Sequence, residues 1–257
     1  MQLISHDELA ERSDYISSLN KFIETMNVCN KISHQFSAIQ SPTGLHYWAS
    51  VLFTALVTKS FSFGCILPHN PWAVSKIDHW DYGTCAVLAR TILEHRLTFH
   101  YFCIDPCSQE EWECRWNIFN LHDCNRRLKI FAENGKEYSF FAKAREDLHK
   151  RLHENIFFIS LNDKQQKEFL KTKTPFLYHL KEISQRAGLD SSFFDFMYPF
   201  LSSHTHCLPF AFYRIGEGDD GRGRGVYTSV EKGYTIFILD FVVSLLDAAN
   251  EEYASIW

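Results

Sequence analysis

Apolar residues recur at three- and four-residue intervals along almost the whole chain, the spacing that gathers them on one face of an α-helix. The first such run covers about residues 7–36, and SPTG breaks it. A second covers 45–65 and stops at LPHNPW. Asp78 or Asp81 can cap a third, which continues to IDPC. Ser108 followed by Glu111 is a capping-box signature for a fourth, reaching about Phe131 before Asn134-Gly135. A charged helix at 136–155 and a short one at 163–170 come next. Thr174-Pro175 starts another, since proline suits a first helical turn, and Ala187-Gly188 ends it. SSFFDFMYPFLSSHTHCLPFAFYR reads as one helix, with Pro199 at a first turn or a kink. GEGDDGRGRG is a loop, and 228–252 forms the last helix. The pattern predicts an all-α fold: a single-domain bundle of roughly eight to nine helices over residues 1–257, with a flexible loop at about 216–227.

Composition agrees with a packed core. The chain has 257 residues, 46% hydrophobic and 16% aromatic, with 23 Phe, which excludes a disordered protein. A net charge of -5 excludes a globally basic nucleic-acid binder but leaves room for a local basic patch. Residues 46–67 and 234–249 are apolar enough to suggest membrane spans. The second is short for a bilayer, and Lys59 and Asp240 interrupt the two runs, so central bundle helices and no stable membrane insertion are expected. MQLISHDELAERSDY lacks an apolar stretch, so the expected location is cytoplasmic. Eight cysteines without a CxxC suggest reduced, mostly buried thiols. Cys103 and Cys107 flank a proline turn but have no matching second pair, so neither a metal site nor a cofactor is expected.

The chemistry stands out against that apolar background. Arg90 and Glu94 lie one turn apart inside CAVLARTILEHRLTFHYFC, where a desolvated ion pair needs partners and often marks a working site. Tyr198, Ser202 and His206 recur at four-residue intervals in YPFLSSHTHC and would share a face if the helix stays regular through Pro199. His204 belongs to the same polar cluster. His122 with Arg126 and Arg127 forms a third polar group, near Asp123. The loop GEGDDGRGRG could wrap a phosphate with Arg222 or Arg224, but it lacks the Lys followed by Ser or Thr of a phosphate-binding loop. Each group has a plain structural reading beside the functional one: a tie between helices, a satisfied core histidine, a solvated helix face, a surface loop.

Helical ribonucleases of the HEPN type use an Arg and a His separated by four to six residues. Arg90 with His95 and Arg115 with His122 fit that spacing. With 12 Arg and 13 His in the chain, about two such matches are expected by chance, so the spacing carries no weight. Thr91 also stands where that type usually has a polar Asn, Asp or His.

Arg90-x3-Glu94, then EEWECRWNIFNLHDCNRR, then YPFLSSHTH, taken in that order, resemble a bacterial family known as domain of unknown function 5677, over about residues 46–214. The resemblance implies a helical, soluble, intracellular protein. Arg90, Glu94, Tyr198, Ser202 and His206 match the family's polar pattern, but the family supplies no catalytic assignment for them. The residues themselves suggest a polar pocket that binds or acts on a phosphate-bearing ligand, with Arg90 holding the anion. His206 would then serve as acid or base, oriented by Glu94 or Tyr198, in a metal-independent nuclease or hydrolase of a defence or toxin setting. A non-catalytic ligand-binding protein, or an oligomeric scaffold with a structural polar cluster, is the alternative. The expected partners are a small anionic ligand or RNA, and a second copy of the chain.

Overall fold

The computed structural model describes residues 12–73, 77–133, 135–216 and 223–257, with side chains at 214–216 excepted. It is all helical among those residues. The first three helices are α1 (Ser13–Gln35), α2 (Gly44–Ile66) and α3 (Tyr82–Cys103). A second group comprises α4 (Gln109–Arg127), α5 (Lys136–Glu154), α6 (Ile156–Ser160), α7 (Asp163–Leu170) and α8 (Leu180–Arg186). The chain then closes with α9 (Ser191–Thr205), α10 (Pro209–Gly216) and α11 (Ser229–Ile256).

Packing divides the chain into two compact units, one drawn from residues 1–104 and 188–257, the other from 105–187. In the first, α3 is the hub: it packs against α2, α9 and α11, while α1 lies on α11 and α2. That position explains its composition, since Ala86, Ala89, Ile92, Leu93, Leu97, Phe99 and Phe102 point in several directions and are all buried. The neighbour α1 shows one stripe only, Tyr15, Leu19, Phe22, Met26 and Cys29, the 3–4 spacing of a helix buried on one side. In the second unit, Ile118 and Leu121 of α4 meet Leu148 and Leu152 of α5, with Phe158 and Phe169 completing the core.

Local rules account for most boundaries. Of the two candidate caps of α3, Asp81 is the cap, accepting from the Thr84 amide at 3.0 Å. Asp78 instead accepts from Arg12 and from the Trp80 indole. Ser108 caps α4, but the Glu111 carboxylate turns to Arg115 rather than back to the cap. The α4 helix ends at Arg127, not near Phe131, and 128–130 are turns. An unanticipated helix, α6, starts because Asn155 accepts from the Phe158 amide at 2.8 Å. Pro175 does not start a helix, and α8 begins at Leu180. The segment read as one helix around Pro199 is two: α9 runs through Pro199, then the chain breaks at Cys207, whose φ is 50°. The expected helix start at residue 7, the closing residue Asn134, and residues 217–222 of the loop lie outside the described residues.

By length and composition, α2 and α11 are both apolar enough to cross a membrane. The expectation that the second is too short is corrected, since α11 has 28 residues. All eight cysteines are free, five of them buried. Burial pushes the Cys29 thiol up to about 11 and the Cys103 and Cys114 thiols up to about 12.

Candidate functional site

Where α9 packs on α3, four of the singled-out polar side chains meet. Arg90 is only 8% exposed. Its Nε donates to Ser202 Oγ at 3.0 Å. Its guanidinium carbon lies 3.7 Å from the centre of the Tyr198 ring, a stacked cation–π contact. Tyr198 and Ser202 are one turn apart on α9, so together they grip one face and one edge of the guanidinium. Pro199 between them costs α9 a backbone donor without ending it. The remaining edge meets Glu94, whose Oε1 is 2.6 Å from Arg90 Nη1. That contact is close but lacks the angle of a hydrogen bond, leaving Nη1 without one. Glu94 has a side chain 48% exposed, so it can rotate into water. Ser202 and Tyr198 therefore fix the cation, and a half-exposed carboxylate covers its Nη1.

His206 does not join this group. The four-residue period aligns it with Tyr198 and Ser202 only while the helix lasts, and α9 ends at Thr205. His206 is the C-cap: its amide donates to Ser202 O, and its side chain is exposed, with no hydrogen bond, ion pair or ring contact to the other four. His204 points elsewhere and is buried, its ring edge-on to Tyr82 and Phe200. Burial lowers its pKa, opposed by Asp81, and its Nε2 has no hydrogen-bond partner. His122, Arg126 and Arg127 belong to the other unit. There Arg127 pairs with Asp123 at 2.7 Å in the open and lies over Phe141, the arrangement of a solvated helix face. Burial and Arg126 lower the His122 pKa.

Two buried ion clusters escaped the sequence reading. In the first unit, Glu252 Oε1 accepts from Arg96 Nη2 at 2.5 Å and lies 3.0 Å from His100 Nδ1. Arg96 is 2% exposed, and burial lowers its pKa against the raising effect of Glu252. Arg96 Nε and Nη1, His100 Nε2 and Glu252 Oε2 have no hydrogen-bond partner. In the second unit, the fully buried Arg115 bonds Asp105 and Glu111 at 2.7 and 2.6 Å, and the Tyr178 hydroxyl donates to Glu111. Arg115 is thus committed to carboxylates and unavailable to His122. The i,i+4 pairs Arg96 with His100 and Glu111 with Arg115 were the readable signals, the same kind as Arg90 with Glu94.

A shallow apolar hollow of about 620 Å³ lies along α2, lined by Tyr47, Val51, Thr54 and Thr58 among others. A polar hollow of about 430 Å³ lies between α4 and the end of α5, beside Trp112, Trp116 and Arg151. Neither includes the Arg90 group. No three His, Cys, Asp or Glu side chains are grouped to hold a metal ion among the described residues. The Arg90 group itself holds no imidazole or thiol, so its chemistry is that of a preoriented cation rather than a proton-transfer pair.

A family model described as a family of unknown function, DUF5677, matches residues 73–223, which include Arg90, Glu94, Tyr198 and Ser202. No curated protein and no solved structure matches the chain.

Proposed function

From the premise that the chain belongs to this family of unknown function, we propose that it is an anion-binding module whose ligand carries a phosphate group held by Arg90. The observation that supports this reading is the asymmetry around one guanidinium. One face and the Nε edge are fixed by Tyr198 and Ser202, while Nη1 meets the half-exposed Glu94. A phosphate arriving from solvent displaces Glu94 and takes over a cation already oriented for two-pronged recognition. Glu94 is then an internal competitor. The nuclease or hydrolase reading is less favoured, because His206, its acid or base, is exposed and outside the group.

The test uses opposite signs. Binding of inorganic phosphate, pyrophosphate and nucleoside monophosphates is measured by calorimetry and thermal shift. Glu94→Gln removes the competitor and should tighten phosphate binding by about tenfold, while Arg90→Lys, which loses the planar fork, should weaken it by at least as much. No binding by wild type or by Glu94→Gln would sink the proposal. The burial of Arg90 favours a second reading, a purely structural tie between α3 and α9. On that reading Glu94→Gln changes melting temperature slightly and ligand response not at all.

A further inference from the structure

Helix α2 carries two apolar seams. The inner one, Ala49, Phe53, Leu56, Ser60 and Phe63, is buried in the first unit. The outer one, Tyr47, Val51, Thr54, Thr58, Phe61 and Cys65, keeps the same alternation of four- and three-residue steps for about 27 Å of helix. It faces solvent: Tyr47 is 53% exposed, Val51 40% and Phe61 42%. Thr58 Oγ1 donates to Thr54 O at 2.8 Å, so this hydroxyl is satisfied by its own helix and needs no polar partner outside it. The helix has no acidic residue, and Lys59 is its single Lys or Arg.

We infer that this seam is an interface with a second copy of the chain, in which two α2 helices pack antiparallel. The inference does not depend on how Arg90 is used. A four-three repeat is the pattern that a second helix fills, at a small crossing angle, by knobs-into-holes packing. A membrane surface asks for a broad apolar face flanked by several Lys or Arg, whereas this seam is narrow, small in its middle and has one cation. The partner helix is α2 itself because the seam is complementary to its own reverse. Aligned antiparallel, Tyr47 meets Cys65, Val51 meets Phe61 and Thr54 meets Thr58, so each large side chain faces a smaller one. A parallel pair sets Tyr47 on Tyr47 and Phe61 on Phe61, with a gap at Thr54. The antiparallel arrangement also opposes the helix dipoles favourably and gives a closed two-fold dimer. Such a helix pair buries on the order of 1,000 Å², the lower bound for a specific complex, so the dimer should dissociate in the micromolar range.

Sedimentation of the full chain across micromolar concentrations should show a monomer–dimer equilibrium. Thr54→Lys and Val51→Glu, both at exposed positions, should each raise the dissociation constant by about tenfold or more. Melting of dilute samples, where wild type is monomeric, should stay unchanged, which separates a lost interface from a lost fold. In mild oxidant, Tyr47→Cys should form an intermolecular disulfide to the native Cys65, identified by peptide mapping. A wild type that stays monomeric at about 100 µM, well above the expected constant, overturns the inference. So does a dimer indifferent to both variants, or a Cys65–Cys65 crosslink, which requires the parallel pair. Flotation with phosphatidylcholine–phosphatidylglycerol vesicles that these two variants abolish would assign the seam to a bilayer and overturn it as well.

Discussion

Arg115 has no exposed side-chain surface, and its guanidinium holds two carboxylates, Asp105 and Glu111, in the second unit. Removing it leaves Asp105 with the partly exposed Arg186, at 3.2 Å, and Glu111 with the Tyr178 hydroxyl, so two carboxylates lose their buried cation. Arg115→Met should destabilise that unit by about 3–5 kcal/mol, even though methionine fills much of the volume. Urea unfolding followed by far-UV circular dichroism checks this, and a wild-type midpoint would refute it. His204 makes an opposite kind of statement. Burial holds its pKa below the ordinary 6.5, as it does for His95. The folded state thus binds fewer protons than the unfolded one, and stability is lost as pH falls through about 6.5 toward the lower folded value. Melting temperature should drop between about pH 7 and pH 5, and His204→Phe should reduce that drop if the fold tolerates the ring. An unchanged pH profile in a folded variant would assign the effect elsewhere. At this scale the meeting of Arg90 with Tyr198 and Ser202 was readable, because charges in an apolar helix must find partners. Glu252 was not, since 156 residues separate it from Arg96 and nothing local joins them.

At the scale of elements, periodicity located the long helices and polar caps located their starts. Asp81, Ser108 and Thr228 each accept from an amide three residues on. The failures share a cause: each treated permission as instruction. Proline tolerates a first helical turn, yet Thr174 Oγ1 instead accepts from the Phe176 amide in a turn that precedes α8. Apolar periodicity continues past Thr205, yet the chain turns through a positive φ at Cys207 and restarts at Pro209. That restart is why His206 left its expected stripe. One connection gives a sharp test. Gly225 has φ of 74°, its carbonyl accepts from the Trp80 amide at 3.0 Å, and an added Cβ would come 2.4 Å from the His79 ring. Gly225→Ala should cost about 1–3 kcal/mol, read as a lower melting temperature, while the same change at Gly233, where nothing crowds a Cβ, should be neutral or stabilising. Equal effects at both glycines would contradict the assigned turn.

The division of the whole molecule into two units had no sign in the sequence. The second unit enters after α3 and leaves before α9 without a low-complexity linker at either point. Each unit has its own core, and the most deeply buried arginine is Arg96 in one and Arg115 in the other. Urea unfolding should therefore depart from a single two-state transition, with helix content and tryptophan fluorescence giving different midpoints. Coincident curves would mean that the two units unfold as one.

The first unit is also closed late. Thr25 Oγ1 of α1 donates to Asp247 of α11 across 222 residues of chain. On a ribosome adding about 5–20 residues per second, α1 waits on the order of 10–40 s for the helix that covers it. The side of α1 that α11 covers stays open throughout. A chain halted before residue 229 would lack that cover permanently, so nascent and truncated forms are natural clients for a chaperone that holds apolar helices until translation ends.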